Sequence, residues 1–195
     1  MASTPMYHQG CRALQDAFDS RRLADRLDER LTRDAFSADD RSFIESQPLF
    51  FLATADANGW PEVSYKGGIP GFVQVADAST LIFPSYDGNG MFRSLGNLGV
   101  NPCVGLLFID FEHPRRLRVQ GRADLATPDT MPGRFPGAQS IVRVRVERIF
   151  PNCPRYIHPM RRLALSEYAP REAHTPPEPA WKGFEMFSDV LPRRG

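Results

Sequence analysis

The stretch that decides the fold runs from Ser79 to Arg122 and reads STLIFPSYDGNGMFRSLGNLGVNPCVGLLFIDFEHPRRLRVQGR. It alternates apolar, strand-like segments with turns rich in glycine, asparagine and proline, and a short helical segment follows the first turn. A half-buried strand that leads through a small polar turn into a helix start leaves free backbone N–H groups, which hold anionic groups well. The stretch therefore favours a site for a flat, phosphorylated cofactor over a protein-binding surface.

Short predicted strands surround this stretch on both sides. Leu49–Ala55 and Glu62–Lys66 flank an Asp-Ala-Asn-Gly turn signal and predict a hairpin, as do Gly71–Ala76 and Thr80–Phe83 around a second polar turn. The other predicted strands are Cys103–Ile109, Arg116–Leu125 and Ser140–Phe150. Six or seven closely spaced strands with few long helices are typical of an antiparallel barrel or sandwich.

Helical patterns precede the strands. From Arg12 to Leu31 apolar residues recur at helical spacing, which predicts one amphipathic helix. Its apolar stripe either docks a partner or packs on its own domain, and we favour packing because that is the usual arrangement of such helices. Ser37, followed three residues later by Asp40, predicts an N-cap and a second helix that continues to about Glu45.

The amino-acid composition and the positions of proline and glycine predict how the chain is organised. With 195 residues, a net charge of +1 and 42% hydrophobic residues, the chain can form one substantial core and lacks the basic excess of nucleic-acid-binding proteins. No apolar run is long enough to span a bilayer, and three scattered cysteines indicate no disulfide framework, so we expect a cytoplasmic protein. Proline and glycine make residues 126–137 a predicted loop. The predicted segments are a helical extension (1–36), a β domain (37–165) and a Pro-rich, extended or mobile tail (166–195).

Few residues suggest metal or nucleophilic chemistry. The four histidines lie in different predicted elements without ligand spacing, so no metal site is predicted. Cys103 lies in an apolar strand and is expected to be a buried core residue. Cys153 occupies a turn near Arg155, where a reactive thiol is the weaker of two interpretations and a packed turn cysteine the stronger.

Basic side chains close to glycine turns point to an anionic ligand. Lys66 precedes Gly67-Gly68, and Arg93 follows the glycine-rich turn. Period-two alternation places Arg116, Arg118, Gln120 and Arg122 on one strand face. That face is either a solvated edge or an anion-binding surface, and its combination with the two glycine turns in one β domain favours anion binding.

At this point the chain resembles the flavin-nucleotide-binding split-barrel family related to pyridoxamine 5′-phosphate oxidase, over roughly residues 43–163. The ordered motifs that carry the resemblance are Phe50–Ala55, Gly59-Trp60-Pro61, Ser64–Gly68, Thr80–Pro84, Gly88–Phe92, Asn101–Phe108 and Leu117–Ala123. The resemblance implies a mainly β protein with flanking helices, built on a six-stranded antiparallel split β-barrel. It also implies a homodimer with FMN bound at the subunit interface.

The resemblance further implies which positions meet the cofactor. Ser64, Tyr65 and Lys66 would line the flavin, the segment from Pro84 to Arg93 would reach its ring, ribityl chain or phosphate, and the strand at Arg116–Arg118 would contribute across the dimer. The implied cofactor-binding residues are Ser64, Tyr65, Lys66, Pro84, Ser85, Asn89, Met91, Arg93, Asn97, Arg116 and Arg118.

The expected function is that of an FMN-binding flavoprotein, an oxidoreductase acting on a small-molecule redox substrate. Because Ser64 stands where the oxidases proper carry an arginine, the implied activity is related to pyridoxamine-phosphate oxidation without being that reaction. The alternatives are a non-catalytic protein that stores or senses FMN, a split barrel that binds a deazaflavin or haem, and a structural dimer whose site is vestigial. Neither a nucleic acid nor a membrane is an expected partner.

Overall fold

The computed structural model describes residues 5–130 and 135–192. Residues 1–4 of the predicted helical extension, residues 131–134 of the predicted loop and the last three residues of the predicted tail lie outside it. The helices are α1 (Gln9–Ala17), α2 (Arg21–Leu31), α3 (Ala38–Ser46) and α4 (Arg93–Val100). The strands are β1 (Leu49–Ala55), β2 (Pro61–Gly67), β3 (Gln74–Val75), β4 (Thr80–Tyr86), β5 (Cys103–Asp110), β6 (Arg115–Ala126) and β7 (Ala138–Pro151). A short 3₁₀ helix lies between β6 and β7 at Pro128–Thr130, and two more follow β7 at Ala180–Gly183 and Glu185–Phe187.

The strands form one antiparallel sheet in the order β2-β1-β5-β6-β7-β4-β3. This sheet curls on itself, because Phe50 of β1 and Phe83 of β4 meet with ring centroids 4.9 Å apart although three strands separate β1 from β4 in the sheet order. Phe50 also contacts Phe72 and Phe108, at centroid distances of 5.9 and 5.2 Å. The inner face of the curled sheet therefore encloses one aromatic-rich core, and the mainly β fold with flanking helices is confirmed.

The predicted number of strands needs a small correction. The described residues contain seven strands instead of six, and the additional strand is β3, which pairs only two residues with β4. The segment predicted as strand from Gly71 begins instead in a turn, since Gly71 has a φ of +90° and Phe72 N–H donates to the carbonyl of Ile69. Such backbone conformations favour glycine and interrupt a strand.

The N-terminal region differs from its prediction in two ways. The single predicted helix is two helices, because Asp19 adopts a left-handed φ of +47° between α1 and α2. The prediction that the apolar stripe packs on its own domain is wrong, since neither helix has a buried residue and Leu14 and Phe18 are 63% and 78% exposed. Cys103 was also expected to be buried, but it is the first residue of β5 and is exposed.

The start of α3 follows its sequence signal. Ser37 is the N-cap and forms a capping box with Asp40, as predicted. Asp40 is buried and also accepts hydrogen bonds from the Arg33 guanidinium, while Arg33 forms an isolated backbone bridge with Ile149 of β7. This cluster ties the segment before α3 to the sheet.

The Asp40 cluster predicts a defined pH dependence of stability. Burial acts to raise the pKa of Asp40, but hydrogen bonds from Arg33 and Ser37 outweigh it and hold that pKa below its ordinary value of 3.8. Asp40 therefore contributes stability at pH values above about 4, and the contribution is lost as the pH falls through its lowered pKa. We expect Asp40→Asn to reduce the free energy of unfolding by about 1–3 kcal/mol at pH 7, because Arg33 is partly exposed and screened.

Urea unfolding of both proteins between pH 7 and pH 2.5 measures this effect. The difference between Asp40→Asn and the unaltered chain should narrow as the pH falls below about 4. If the difference in unfolding free energy between the two proteins stayed constant from pH 7 to pH 2.5, the charge of Asp40 would not contribute to stability.

Candidate cofactor site

A cavity with a volume of about 900 Å³ lies beside β2. Its walls come from β2, from the glycine-rich turn and the start of α4, and from the C-terminal segment around Trp181. A cavity of this size is at the upper end of the range for small-molecule and cofactor sites. Three parts of the chain that are distant in sequence thus meet at one concave surface.

The alternation of β2 decides which of its side chains face the cavity. Glu62, Ser64 and Lys66 line it, whereas Val63 and Tyr65 point to the opposite face of the strand and are 66% and 61% exposed. Of the three predicted site residues on this strand, Ser64 and Lys66 therefore lie in the cavity and the Tyr65 side chain does not.

Lys66 provides the cationic group of the cavity that has no fixed partner. No hydrogen bond or ion pair joins its ammonium group to another of the described residues, and it is half-buried. Burial lowers the pKa of Lys66, an effect that nearby Glu62 partly opposes. A partly desolvated cation without a partner is stabilised by an anionic ligand, so Lys66 is the strongest candidate for a contact with phosphate.

The start of α4 adds hydroxyl and amide donors to the same wall. No side chain caps this helix, and its first residues Arg93 and Ser94 line the cavity. The Ser94 hydroxyl lies 3.0 Å from the Ser64 hydroxyl. The Arg93 Nε donates to Glu62 at 2.9 Å, so the predicted phosphate ligand Arg93 already neutralises a carboxylate of the cavity.

The C-terminal segment supplies residues that the sequence analysis missed. Trp181 and Lys182 line the cavity, and the Lys182 ammonium donates to the Asp87 carboxylate at 2.6 Å. Lys66 and Lys182 are the only lysines in the sequence, so both lysines of an otherwise arginine-rich chain face this cavity. The scarcity of lysine is visible in the sequence, but the contact between Lys182 and Asp87, which are 95 residues apart, is not.

The predicted site residues divide into two groups. Those in the cavity are Ser64, Lys66, Ser85, Asn89, Met91 and Arg93. The others lie elsewhere: Pro84 is buried in β4, and the Asn97 amide donates to Thr54 beneath α4 at 3.0 Å. Arg116 and Arg118 lie on β6, outside the cavity lining.

These residues fit a phosphorylated, ring-containing cofactor. Arg93 holds the Glu62 carboxylate and Lys182 holds that of Asp87, and Glu178 adds a third carboxylate to the lining. Lys66 and the uncapped helix start are the groups that could receive an anion. Within residues 5–130 and 135–192 no group of three or more histidine, cysteine, aspartate or glutamate side chains could hold a metal ion. In the same part of the chain, no helix is long and apolar enough to cross a membrane.

Comparison with known proteins identifies the family. The family model of pyridoxamine 5′-phosphate oxidase matches residues 36–170. The chain belongs to the pyridoxamine 5′-phosphate oxidase family. The matched residues include every strand of the sheet and the β2 and α4 walls of the cavity, whereas Trp181 and Lys182 follow the match.

Several solved structures resemble this family member. HupZ of Group A Streptococcus is 25% identical, with a TM-score of 0.48 over 60% of this chain and 93% of HupZ. A protein from Lactobacillus delbrueckii described as a putative pyridoxamine 5′-phosphate oxidase is 20% identical, with a TM-score of 0.49 over 60% of this chain and 95% of its own. HutZ, the haem storage protein of Vibrio cholerae, is 21% identical, with a TM-score of 0.40 over 57% of this chain and 91% of HutZ. The search of curated proteins gives no match.

Proposed function

We propose that this protein binds FMN in the cavity beside β2 and acts as a flavin-dependent oxidoreductase on a small molecule. The observation that supports this most directly is the unpaired, half-buried Lys66 beside the uncapped start of α4. When bound, FMN supplies hydride and electron transfer, whereas the protein supplies binding and orientation. The family to which the chain belongs agrees with this chemistry.

The described residues have separate tasks in this proposal. Lys66 and the first amides of α4 would hold the phosphate, and the Ser64 and Ser85 hydroxyls would donate to polar atoms of the cofactor. Trp181 would exclude water from the side of the cavity that the C-terminal segment closes. We assign no catalytic acid or base.

Acetylation of the two lysines tests occupancy of the cavity. The lowered pKa of Lys66 leaves more of its amine neutral and reactive at pH 8 than an ordinary lysine has. With FMN at ten times its dissociation constant, we expect about tenfold slower acetylation of Lys66 because only the free protein reacts. Mass spectrometry after treatment with an acetyl N-hydroxysuccinimide ester measures the rate at each lysine.

Riboflavin, which lacks the phosphate, is the matched control ligand and should protect Lys66 less than FMN at equal concentration. Equal acetylation of Lys66 with and without FMN would contradict the assignment of the site. Anaerobic addition of NADH or NADPH to the FMN-loaded protein then tests turnover. A flavin that binds but is reduced by neither donor would favour the storage or sensing alternative.

The lining of the cavity also bears on the haem and deazaflavin alternatives. Its described residues include neither histidine nor cysteine, but they include Met91 and Tyr86, and these residue types can also be axial ligands of haem iron. We favour a flavin because Lys66 and the uncapped start of α4 suit a phosphate group. The absorbance bands of the loaded protein separate FMN, deazaflavin and haem.

We also propose that the protein is a homodimer that pairs through the outer face of the sheet. Two rows of outward-facing residues cross β2, β1 and β5, namely Tyr65-Phe51-Leu107 and Val63-Ala53-Gly105. Tyr65 and Val63 are largely exposed, and the rows end on β6 at Arg118 and Gln120. Such an apolar face with a polar margin is typical of a protein interface.

The dimer would account for two residues that were predicted to contact the cofactor but lie outside the cavity, Arg116 and Arg118. Arg116 Nε is buried without a hydrogen-bond partner among the described residues, and Arg118 lies exposed on the outer face. In such a dimer Arg116 and Arg118 would lie at the subunit interface, where the family resemblance implies that this strand contributes to an FMN site.

Val63→Asp tests the interface without touching the cavity lining. Burying an unpaired carboxylate in an apolar interface costs several kcal/mol, so we expect a dimer to become monomeric at micromolar concentration. Sedimentation velocity measures the change, with Val100→Asp as the control because Val100 is similarly exposed, at 62%, on α4. An unaltered sedimentation coefficient for Val63→Asp would argue against this face.

A further inference from the structure

A second cavity adjoins the cofactor cavity and belongs to no function described above. Its volume is about 480 Å³, and it lies where the C-terminal segment crosses the turn after β4. The two cavities share the residues Tyr86, Asp87, Gly88, Asn89, Gly137 and Trp181. A ligand in the second cavity would therefore lie directly beside the molecule in the first.

The shape of the second cavity suits a flat ring. Its lining contains the aromatic rings of Tyr86, Tyr168 and Trp181, and several proline rings contribute apolar surface. The prolines are Pro136, Pro170, Pro176, Pro177 and Pro179. Rigid aromatic and proline side chains lose little conformational entropy when they contact a ligand, so such a lining favours planar apolar groups.

The charges of the second cavity favour an anion on that ring. Arg171 lines the cavity and is half-buried, and its guanidinium forms no hydrogen bond or ion pair with another of the described residues. The Asp87 carboxylate is held by Lys182. The His174 ring also lines the cavity, with Nε2 2.7 Å from the Glu167 carbonyl oxygen. Arg171 is therefore an available cation, and a guanidinium pairs with a carboxylate through two parallel hydrogen bonds.

We propose that the second cavity is a binding site for a planar aromatic carboxylate, with its ring against Tyr168 and Trp181 and its carboxylate on Arg171. The ligand bound there would be the small-molecule partner of the cofactor, and this role rests on the proposed function. The binding site itself rests only on the lining of the second cavity.

Two isosteric probes test the inference by calorimetry on FMN-saturated protein. 2-Naphthoate and 2-naphthamide have the same bicyclic ring, but only the first carries a charge. We expect 2-naphthoate to bind once per chain and about tenfold more tightly than 2-naphthamide, the scale of one charge-assisted hydrogen bond. The bound probe should also shift the visible absorbance bands of the flavin because the two cavities share a wall.

Arg171→Met should remove the preference for the carboxylate and leave the FMN dissociation constant unchanged. Arg161→Met is the matched control, since Arg161 is exposed and lines neither cavity. Equal affinity of the unaltered protein for the two probes would overturn the inference whether or not the variants fold, as would a preference that survives Arg171→Met. If FMN does not bind but apo protein still prefers 2-naphthoate, the second site stands and the proposed function fails.

Discussion

Lys66→Met is expected to bind FMN about ten- to a hundredfold more weakly than the unaltered chain, because a charge-assisted hydrogen bond to an ionised group is lost. Methionine keeps much of the length and apolar character of the lysine stem, so the cavity wall is preserved. Fluorescence titration of FMN into the apo protein measures the dissociation constants.

Two comparisons make this result specific to Lys66. Arg26→Met removes the same charge from an exposed residue of α2, and we expect its FMN affinity to be unaltered. Burial lowers the pKa of Lys66 below 10.5, so Lys66 loses its charge at a lower pH than an ordinary lysine does. As the pH rises, FMN affinity should therefore begin to fall earlier than it would with a lysine of ordinary pKa. An unaltered dissociation constant for Lys66→Met would remove Lys66 from the phosphate site.

Phe50→Ala is expected to lower the free energy of unfolding by about 3–5 kcal/mol, the usual cost of deleting a buried phenylalanine. Phe50 is fully buried and packs against Phe72, Phe83 and Phe108, which come from three other parts of the sheet domain. Its loss would leave a cavity at the point where the curled sheet closes. Urea unfolding, followed by circular dichroism, measures the change.

Phe184→Ala is the matched control because Phe184 is 53% exposed in the C-terminal segment. An exposed substitution of this kind usually changes stability by no more than about 0.5 kcal/mol. If Phe50→Ala and Phe184→Ala proved equally stable, the closed aromatic core would be contradicted.

The sheet was largely predictable because its signals are local. β1 has the predicted limits, and the alternation of β6 places Arg118, Gln120 and Arg122 on one exposed face as expected. The start of α3 was likewise predictable, because its capping box is formed by two residues close in sequence, Ser37 and Asp40. The break between α1 and α2 could not be predicted from the apolar spacing, which continues across it. The helix is broken by the left-handed backbone conformation of a single residue, Asp19.

The site was predictable only where one local segment forms it. The alternation of β2 predicts that Ser64 and Lys66 share one face, and both line the cavity. The glycine residues before α4 predict the turn that forms the second wall. The third wall depends on the ion pair between Lys182 and Asp87, a long-range contact that no local pattern encodes. The Pro-rich composition predicts an extended or mobile tail. Within it Trp181 is half-buried and lines the cavity, and Lys182 pairs with Asp87 of the turn after β4.

The central claim is that the cavity beside β2 binds FMN, and equilibrium titration of the apo protein with FMN tests it most directly. We expect saturation at one FMN per chain with a dissociation constant in the micromolar range or tighter, and weaker binding of riboflavin. A protein that shows no saturable FMN binding, with Lys66 equally accessible in the presence and absence of FMN, would contradict the claim.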